Sequence, residues 1–191
     1  GLYWCSICKF LDNDPKKSIY HCSDCGLCRI GPQEAYFHCS GCSMCLNIST
    51  KGTHSCIENN MKANCPICHA DMFTSRKSSM IMKCGHSIHS DCYSQYTRRS
   101  YTCPICSKSL VDMKQEWNMY DQLISQQPMP QEYLESKCLS LCNDCNQKTE
   151  APYHFLGQKC SNCGSYNTTV SKRIGFPSVI TDALINTINT F

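Results

Sequence analysis

The chain has 191 residues, and 20 of them are cysteine, so about one residue in ten is a cysteine. Hydrophobic residues make up 41% of the chain, but that figure includes the cysteines, and the formal net charge is only +3. Too few large apolar side chains remain for one ordinary core, which disfavours a single large α/β enzyme. We therefore expect several small modules held together by disulfides or by metal ions.

The arrangement of the cysteines favours metal over disulfides. Nine C-x2-C pairs occur, and six of the seven histidines lie within four residues of a cysteine. A C-x2-C turn presents two thiolates to a tetrahedral Zn²⁺, and histidine supplies a neutral nitrogen ligand. The sequence has no apolar signal segment and no run of about 18 apolar residues that could span a membrane. We therefore expect zinc, a reducing compartment (the cytoplasm, the nucleus or both) and no membrane partner.

The first 56 residues contain an internal repeat of 17 residues. The cysteines related by this step are Cys5, Cys22, Cys39 and Cys56, then Cys8, Cys25 and Cys42, then Cys28 and Cys45. His21 and His38 follow the same step, and His54 falls one residue short of it. A unit this short cannot bury a core of its own, so its neighbours must be joined, here by metal.

The twelve ligands of this repeat divide into three tetrahedral sites. Each site takes a C-x2-C pair from one repeat and a histidine with a cysteine from the next. The predicted sets are Cys5, Cys8, His21 and Cys28; Cys22, Cys25, His38 and Cys45; and Cys39, Cys42, His54 and Cys56. The alternative is that the histidines are surface residues beside sites made of cysteine alone, but their recurrence at the 17-residue step argues against it.

This first block resembles the CTCHY-type zinc finger. The residues that carry the resemblance are Trp4-Cys5, His21-Cys22, Cys28-Arg29, His38-Cys39 and His54-x-Cys56. In that family a CHY-type zinc finger usually precedes the block. The sequence starts instead at Gly1, so we expect that an N-terminal part is missing from this chain or was removed.

The second block has eight ligands with one residue between the third and the fourth. In chain order they are Cys65, Cys68, Cys84, His86, His89, Cys92, Cys103 and Cys106. This pattern resembles the RING finger of the two-histidine type, which implies two Zn²⁺ in a cross-brace. By this resemblance the two sets are Cys65, Cys68, His89 and Cys92, and Cys84, His86, Cys103 and Cys106. Metal binding and folding of such a module are one equilibrium, so loss of any ligand should unfold it.

The RING resemblance also implies a groove that binds a ubiquitin-conjugating enzyme. Ile67, Tyr96 and Pro104 occupy the positions that form this groove in RING ubiquitin ligases. The alternative is that Ile67 and Tyr96 only pack over the zinc sites. Two departures concern this surface: Tyr96 replaces a frequent tryptophan, and Ser107 replaces the cation that many RING fingers carry directly after the last ligand, with Lys108 one position later.

Residues 111–127 are predicted to form an amphipathic helix. Its apolar residues recur at steps of four, three and four, at Met113, Trp117, Tyr120 and Ile124. Asp112 and Gln115 resemble a capping box, and Pro128 ends the pattern. The apolar face either packs on a neighbouring module or, alternatively, binds a partner.

A third block spaces four cysteines as a zinc ribbon does, at Cys142, Cys145, Cys160 and Cys163. With the run at 164–168 it resembles the C-terminal ribbon of the CHY and RING ligases. The predicted ligands then total 24, enough for six Zn²⁺ ions. Among the cysteines only Cys138 is left over, and we expect a small buried side chain there rather than an alternative ligand.

The predicted fold class is a set of small zinc-stabilised α+β modules with little regular secondary structure. They are a CTCHY zinc finger with three zinc ions (1–60), a RING finger with two (61–110), a helical linker (111–134), a zinc ribbon with one (135–172) and a tail (173–191). In the tail, Ile180, Leu184 and Ile188 have helical spacing, which fits either a docking helix or a frayed end.

The resemblance implies a RING-type E3 ubiquitin-protein ligase whose partners are a charged ubiquitin-conjugating enzyme and a protein substrate recruited by the CTCHY and ribbon modules. A ligase that carries ubiquitin on its own cysteine needs a free reactive thiol, and only Cys138 is available. We therefore expect no catalytic residue on this chain and direct transfer of ubiquitin to a substrate lysine. The zinc ions would be structural, because four protein ligands leave no open position.

Two other classes of function are alternatives to the predicted ligase function. One is an interaction scaffold whose RING finger is inactive. The other is a zinc-knuckle protein that binds nucleic acid, which would need lysine and arginine clustered with exposed aromatic residues. The 18 basic residues are dispersed, and Arg98-Arg99 is the densest pair beside the RING, so we do not expect nucleic acid as a partner.

Overall fold

The computed structural model describes residues 2–177, which divide into two compact units between Ser100 and Tyr101. Within these residues the regular structure consists of eleven strands of three to seven residues and two α-helices, with 3₁₀ turns between them. The predicted class of small α+β modules with little regular structure is confirmed. No helix of residues 2–177 has the length and apolar character needed to cross a membrane. The predicted helical spacing at Ile180, Leu184 and Ile188 lies outside the described residues.

The 17-residue repeat forms three antiparallel hairpins in the first unit. They pair β1 (Tyr3–Cys5) with β2 (Phe10–Asp12), β3 (Ile19–Cys22) with β4 (Leu27–Ile30), and β5 (Tyr36–Cys39) with β6 (Met44–Asn47). Within the second hairpin His21 lies directly opposite Cys28, and in the third His38 lies directly opposite Cys45. Residues opposite each other in an antiparallel pair point to the same face, so each hairpin presents a histidine and a cysteine together.

The C-x2-C turns share one backbone geometry. In seven of the nine pairs the residue after the second cysteine has a positive φ, at Lys9, Gly26, Ser43, His69, Ser107, Asn146 and Gly164. In five of these turns the N–H of the residue after the second cysteine donates to the carbonyl of the first cysteine at 2.9 Å. For a residue other than glycine this left-handed conformation costs about 1–2 kcal/mol, so the ligation of both cysteines has to offset it.

The rest of the first unit packs against the repeat. It contains the hairpin of β7 (Ser79–Ile81) and β8 (Ser87–His89), followed directly by α1 (Ser90–Tyr96). Buried Asn60 joins the two parts: its Nδ2 donates to the Gly85 carbonyl at 2.7 Å and to Ser87 Oγ at 2.6 Å, while its Oδ1 accepts from the Ser87 N–H at 3.2 Å. The N–H groups on either side, of Asn59 and Met61, donate to the carbonyls of Gly41 and Cys42 in the repeat at 2.9 and 3.3 Å, so the strand that carries His89 is fixed relative to the repeat.

The second unit is built on a three-stranded antiparallel sheet. Its central strand β9 (Lys137–Cys142) lies between β10 (Lys148–Pro152) and β11 (Thr168–Ile174). Alternate residues of β9 are buried, and Cys138 among them is fully buried, as expected for a small core side chain. This sheet positions the cysteines that follow β9.

Helix α2 (Lys114–Gln126) of the second unit covers less of the chain than the predicted 111–127. The predicted capping box is wrong. Met113 occupies the N-cap position, and Asp112 Oδ1 accepts from the Lys114 N–H at 3.1 Å; among the described residues no bond returns from the Gln115 side chain. The short Asp112 side chain reaches only the amide two residues on, so it forms an Asx turn ahead of the helix rather than a reciprocal cap.

The apolar face of α2 packs on aromatic residues of its own unit. The Trp117 ring lies 5.7 Å from Tyr101 and 5.8 Å from Tyr166, and the Tyr120 ring lies 5.3 Å from Tyr166. Tyr166 also donates to Asp121 Oδ1 at 2.7 Å. These contacts fit the prediction that the apolar face packs on a neighbouring module, and not the alternative that it binds a partner.

The half-buried carboxylate of Asp144 joins the end of the RING sequence to the ribbon within the second unit. It accepts from the N–H and hydroxyl of Ser109 at 2.7 and 3.0 Å, from the hydroxyl of Ser165 at 2.6 Å and from Asn167 Nδ2 at 3.0 Å. Burial by itself would raise the pKa of Asp144, but these hydrogen bonds outweigh it and lower the pKa. Asn167 Nδ2 also donates to the Ser107 carbonyl at 2.7 Å.

We predict that Asp144→Ala destabilises the second unit by about 2 kcal/mol, because it leaves the Ser109 N–H and the hydroxyl of buried Ser165 without the acceptor that they share. Chemical denaturation at saturating zinc, followed by tryptophan fluorescence, would measure the change. Glu132→Ala, which removes an exposed carboxylate of the same unit, is the control and should change the free energy of unfolding by less than about 0.5 kcal/mol. Equal stability of the two variants would contradict the role given to Asp144.

Candidate zinc centres and partner-binding groove

The structure brings the predicted ligands of the first unit together in sets of four. None of the 20 cysteines is in a disulfide. Within each set the ligand atoms all lie within 4.8 Å of one another. The sets are Cys5, Cys8, His21 and Cys28; Cys22, Cys25, His38 and Cys45; Cys39, Cys42, His54 and Cys56; and Cys65, Cys68, His89 and Cys92. They are the sets that the 17-residue repeat and the RING resemblance predict.

Distances in the first set fit a tetrahedral zinc ion. His21 Nδ1 lies 3.5 Å from Cys5 Sγ, 3.3 Å from Cys8 Sγ and 3.9 Å from Cys28 Sγ. Zinc bonds of about 2.3 Å to sulfur and 2.0 Å to nitrogen give tetrahedron edges of about 3.5–3.8 Å. The separations between these ligand atoms are therefore those of ligands that share one ion.

The second set has the same dimensions. His38 Nδ1 lies 3.7 Å from Cys22 Sγ, 3.2 Å from Cys25 Sγ and 3.8 Å from Cys45 Sγ, and the sulfurs of Cys25 and Cys45 are 3.4 Å apart. Arg29 Nη2 donates to Cys25 Sγ at 3.4 Å, which places a cation beside three thiolate ligands. Such a contact stabilises the deprotonated form that binds metal.

The third set uses the other imidazole nitrogen. His54 Nε2 lies 3.9 Å from Cys42 Sγ, while its Nδ1 lies 3.3 Å from the Thr50 carbonyl. A carbonyl can only accept, so Nδ1 carries the proton and Nε2 is free to bind metal. The sulfurs of Cys39 and Cys56 are 3.7 Å apart. Thr50 thus orients the third histidine, a contact that has no signal in the ligand spacing.

The RING ligands fall in both units. In the first unit His89 Nδ1 lies 3.3 Å from Cys68 Sγ, and His86 Nδ1 lies 3.6 Å from Cys84 Sγ. In the second unit Cys103 and Cys106 flank a turn in which the Ile105 N–H donates to Cys103 Sγ at 3.4 Å. A zinc ion shared by Cys84, His86, Cys103 and Cys106 stays a prediction of the RING resemblance.

The ribbon cysteines of the second unit approach each other in two pairs. Cys142 Sγ lies 3.5 Å from Cys163 Sγ, and Cys145 Sγ lies 3.6 Å from Cys160 Sγ. Each pair joins the turn after β9 to the turn before β11, as a ribbon site requires. These separations also match the edges of a tetrahedron around zinc.

Local electrostatics prepare some of these thiols for metal. The Cys8 N–H donates to Cys5 Sγ at 3.3 Å and lowers the pKa of Cys5 to about 6, and the Cys42 N–H likewise lowers the pKa of Cys39 to about 6. Burial, followed by the neighbouring thiols of Cys28 and Cys5, raises the pKa of Cys8 to about 11. Crowded thiolates therefore repel one another unless a cation lies between them, which is the charge that Zn²⁺ supplies.

A groove of about 370 Å³ lies on the RING part of the first unit, between the turn at Ile67 and the end of α1. Its lining residues are Ile67, Gln95, Tyr96, Arg98 and Arg99. The structure therefore brings together Ile67 and Tyr96, the two groove residues predicted in this unit, and both keep part of their surface accessible. Pro104 is exposed in the second unit, and its part in the groove stays a prediction.

Gln95, Arg98 and Arg99 also line this groove, although the sequence pattern does not predict it. The available signal was their position: Arg98 and Arg99 come within three residues of Tyr96, at the end of the helix that presents it. Backbone bonds from the Arg99 and Ser100 N–H groups to the Tyr96 carbonyl, both at 3.0 Å, turn the chain back at this point.

We predict that His21→Asn reduces the zinc content of the chain by one ion, because it removes one of four ligands from a site whose sulfurs cannot close around zinc alone. Native mass spectrometry would count the ions. His69→Asn is the control, since His69 is exposed and lies in none of the four sets, and its zinc content should equal that of the wild type. An unchanged zinc count in His21→Asn would refute the assignment of this histidine.

Two family models match the chain. The Ring finger domain model matches residues 63–107, and the Zinc-ribbon model matches residues 111–169. The second match includes α2 together with β9, β10 and the start of β11, in agreement with the packing of Trp117 and Tyr120 on Tyr166. Both modules bind zinc through the residue types that the structure gathers here.

Similar proteins cover most of this chain. It is 49% identical over 169 residues to a BRUTUS-like zinc finger protein of Arabidopsis thaliana, which is 88% of this chain and 13% of that protein. It is 46% identical over 173 residues to an uncharacterized RING finger protein of Schizosaccharomyces pombe, which is 90% of this chain and 41% of that protein. It is 43% identical over 174 residues to the E3 ubiquitin-protein ligase RZFP34 of Arabidopsis thaliana, which is 91% of this chain and 60% of that protein.

These proteins are longer than the present chain, which spans between 13% and 60% of their lengths. The predicted resemblance to RING and zinc finger proteins is confirmed by the two family models and by these identities. The chain is therefore a zinc-binding RING finger and zinc-ribbon protein, similar along most of its length to BRUTUS-like zinc finger proteins and to RZFP34.

Proposed function

We propose that the chain acts as a RING-type E3 ubiquitin-protein ligase that binds a ubiquitin-conjugating enzyme through the groove at Ile67 and Tyr96. The observation that carries this proposal is the groove itself, an accessible apolar surface that lies inside a matched RING finger. An accessible apolar surface on a module without a large core is typical of a protein-binding site. The similar proteins RZFP34 of Arabidopsis thaliana and SRFP1 of Oryza sativa are both named as E3 ubiquitin-protein ligases, which supports the same function.

The proposed mechanism is transfer without a covalent intermediate on this chain. The amine of a substrate lysine attacks the thioester carbonyl between ubiquitin and the conjugating enzyme; an amide bond forms, the carbon–sulfur bond breaks, and the conjugating enzyme recovers its thiol. The ligase contributes by holding the thioester and the amine in attack geometry. Cys138 supports this mechanism, because it is fully buried and burial raises the pKa of its thiol, so it is neither accessible nor activated.

Six structural zinc ions belong to the same proposal. Three lie in the repeat, two in the RING finger and one in the ribbon, and each has four protein ligands, which leaves no position open for a substrate or a water molecule. Their role is to fix the turns that carry the groove. Cysteine-rich zinc sites persist where thiols stay reduced, so we place the protein in the cytoplasm, the nucleus or both.

We propose that exposed apolar surfaces on the modules outside the RING finger bind the protein substrate. On the first hairpin Trp4 lies opposite Leu11, and both side chains are more than half exposed, as is Ile7 in the intervening turn. In the second unit a further groove of about 540 Å³ is lined by apolar and aromatic residues that include Ile124, Tyr133 and Tyr153. Apolar surfaces of this kind suit protein substrates.

The residue after the last RING ligand, Ser107, does not have the role that a cation has at this position in many RING fingers. Ser107 cannot supply a cation, and its carbonyl accepts from Asn167 of the ribbon. Lys108 is half-buried, and its carbonyl accepts from the Cys103 N–H at 2.8 Å. We infer that the ribbon stabilises this turn and that the side chain at position 107 supplies no positive charge to a bound partner.

We predict that Ile67→Ala lowers the rate of ubiquitin discharge from a conjugating enzyme by about tenfold or more, because an apolar anchor near the centre of an interface carries much of the binding energy. Single-turnover discharge to free lysine would measure the rate, with zinc content determined in parallel. Ile30→Ala is the matched control, since Ile30 is an exposed isoleucine on β4 of the same unit. The assignment is wrong if the two variants discharge ubiquitin equally fast, or if Ile67→Ala loses zinc.

We predict that Cys138→Ala discharges ubiquitin at the wild-type rate and that no thiol-sensitive ubiquitin adduct forms on either chain. The reason is that the thiol is buried and protonated and takes no part in transfer. Non-reducing electrophoresis of the reaction would reveal such an adduct. An adduct on the wild type that disappears in Cys138→Ala would contradict the scaffold mechanism.

A further inference from the structure

The groove at Ile67 and Tyr96 has a strongly basic rim. Arg98 and Arg99 line it, both are exposed, and among the described residues neither guanidinium forms an ion pair. The only acidic residue of α1, Asp91, lies in the first turn, at the opposite end of the helix from the two arginines. Two unpaired cations therefore border the apolar surface on one side.

Hydrogen bonds fix the backbone of the segment that carries the two arginines. The Thr97 N–H donates to the Tyr93 carbonyl at 2.9 Å, and the N–H groups of Arg99 and Ser100 donate to the Tyr96 carbonyl at 3.0 Å. The arginines thus extend α1 in a hydrogen-bonded turn rather than in a free loop. A partner that covers Tyr96 must also meet their guanidinium groups.

The composition of this part of the unit reinforces the basic character. Residues 61–100 contain six lysine and arginine residues and two aspartates. One of the aspartates, Asp71, accepts from the N–H and hydroxyl of Thr74 at 2.7 and 2.6 Å, so its charge is engaged locally. A partner with basic side chains facing the rim would be repelled, whereas carboxylates would form charge-assisted hydrogen bonds with the guanidinium groups.

We propose that Arg98 and Arg99 select among ubiquitin-conjugating enzymes, favouring those that carry aspartate or glutamate beside the apolar residues that contact Ile67 and Tyr96. This inference rests on the proposed ligase function and names the partner class of the same groove. The apolar contact at Ile67 supplies binding to any conjugating enzyme of matching shape. The two arginines supply the preference, because like charges at an interface rim disfavour the wrong partner and opposite charges accelerate encounter with the right one.

The test compares two conjugating enzymes with the same apolar contact residues, one with acidic and one with basic side chains at the facing rim. Binding to the full chain is measured by titration at low and at high salt. Arg98→Ala/Arg99→Ala should weaken binding of the acidic enzyme about five- to tenfold at low salt and much less at 1 M salt, where the screening length is about 3 Å. Arg98→Glu/Arg99→Glu should reverse the preference between the two enzymes.

The matched control removes the same charge from the same unit away from the groove. Arg76 and Lys77 are exposed cations that do not line it, so Arg76→Ala/Lys77→Ala should leave both affinities within about twofold of the wild type. Zinc content and thermal stability of every variant are measured to show that the fold is intact.

Three outcomes would overturn the inference. If the arginine variant and the control variant weaken binding equally, the rim has no selective role. If Ile67→Ala abolishes binding but the wild type prefers the basic enzyme or neither enzyme, the selectivity is refuted while the ligase function stands. If the wild type binds and discharges neither enzyme nor any other of a broad panel, the proposed function fails and the selectivity fails with it.

Discussion

The fold depends on the coordination of zinc by thiolates and imidazoles. Among residues 2–177, ten of the seventeen buried hydrophobic residues are cysteines, and only Tyr20, Ile88 and Leu110 join four methionines to complete that set. Burying so little apolar surface cannot offset the conformational entropy of ordering a chain of this length. The metal–ligand bonds supply the missing free energy, and they do so at the turns, where each ion fixes two segments at once.

Buried polar contacts connect the chain segments between the zinc sites. Once the turns are fixed, a single buried side chain is enough to hold two of them together. Asn60 does this in the first unit, where it binds the loop at Gly85 and Ser87, and Asp144 does it in the second, where it gathers donors from both sides. The proposed partner binding depends on this rigidity, because a shallow groove binds a partner well only if its residues are already in place.

The sequence predicts the ligand sets well and the contacts between them poorly. The sets follow from the 17-residue period: His21 and Cys28 recur as His38 and Cys45, so the hairpin geometry that aligns one pair also aligns the other.

The contacts made by Asn60 and Asp144 have no such signal. A single asparagine or aspartate in a polar sequence looks the same whether its side chain is buried or exposed to solvent. The predicted cap at Asp112 failed for a related reason, since an aspartate can satisfy a nearby amide in an Asx turn as easily as at a helix N-cap. The basic rim at Arg98 and Arg99 was visible as a charge pair, but only the turn after α1 places it beside Tyr96.

The most direct test of this account is native mass spectrometry of the chain during stepwise removal of zinc by a chelator, with the charge-state distribution as the measure of folding. If metal coordination supports the fold, the compact species carries six zinc ions, and an extended, metal-free species replaces it once the ions are removed. A compact species that retains no zinc, or one held together by disulfides, would contradict the claim that metal coordination supports the fold.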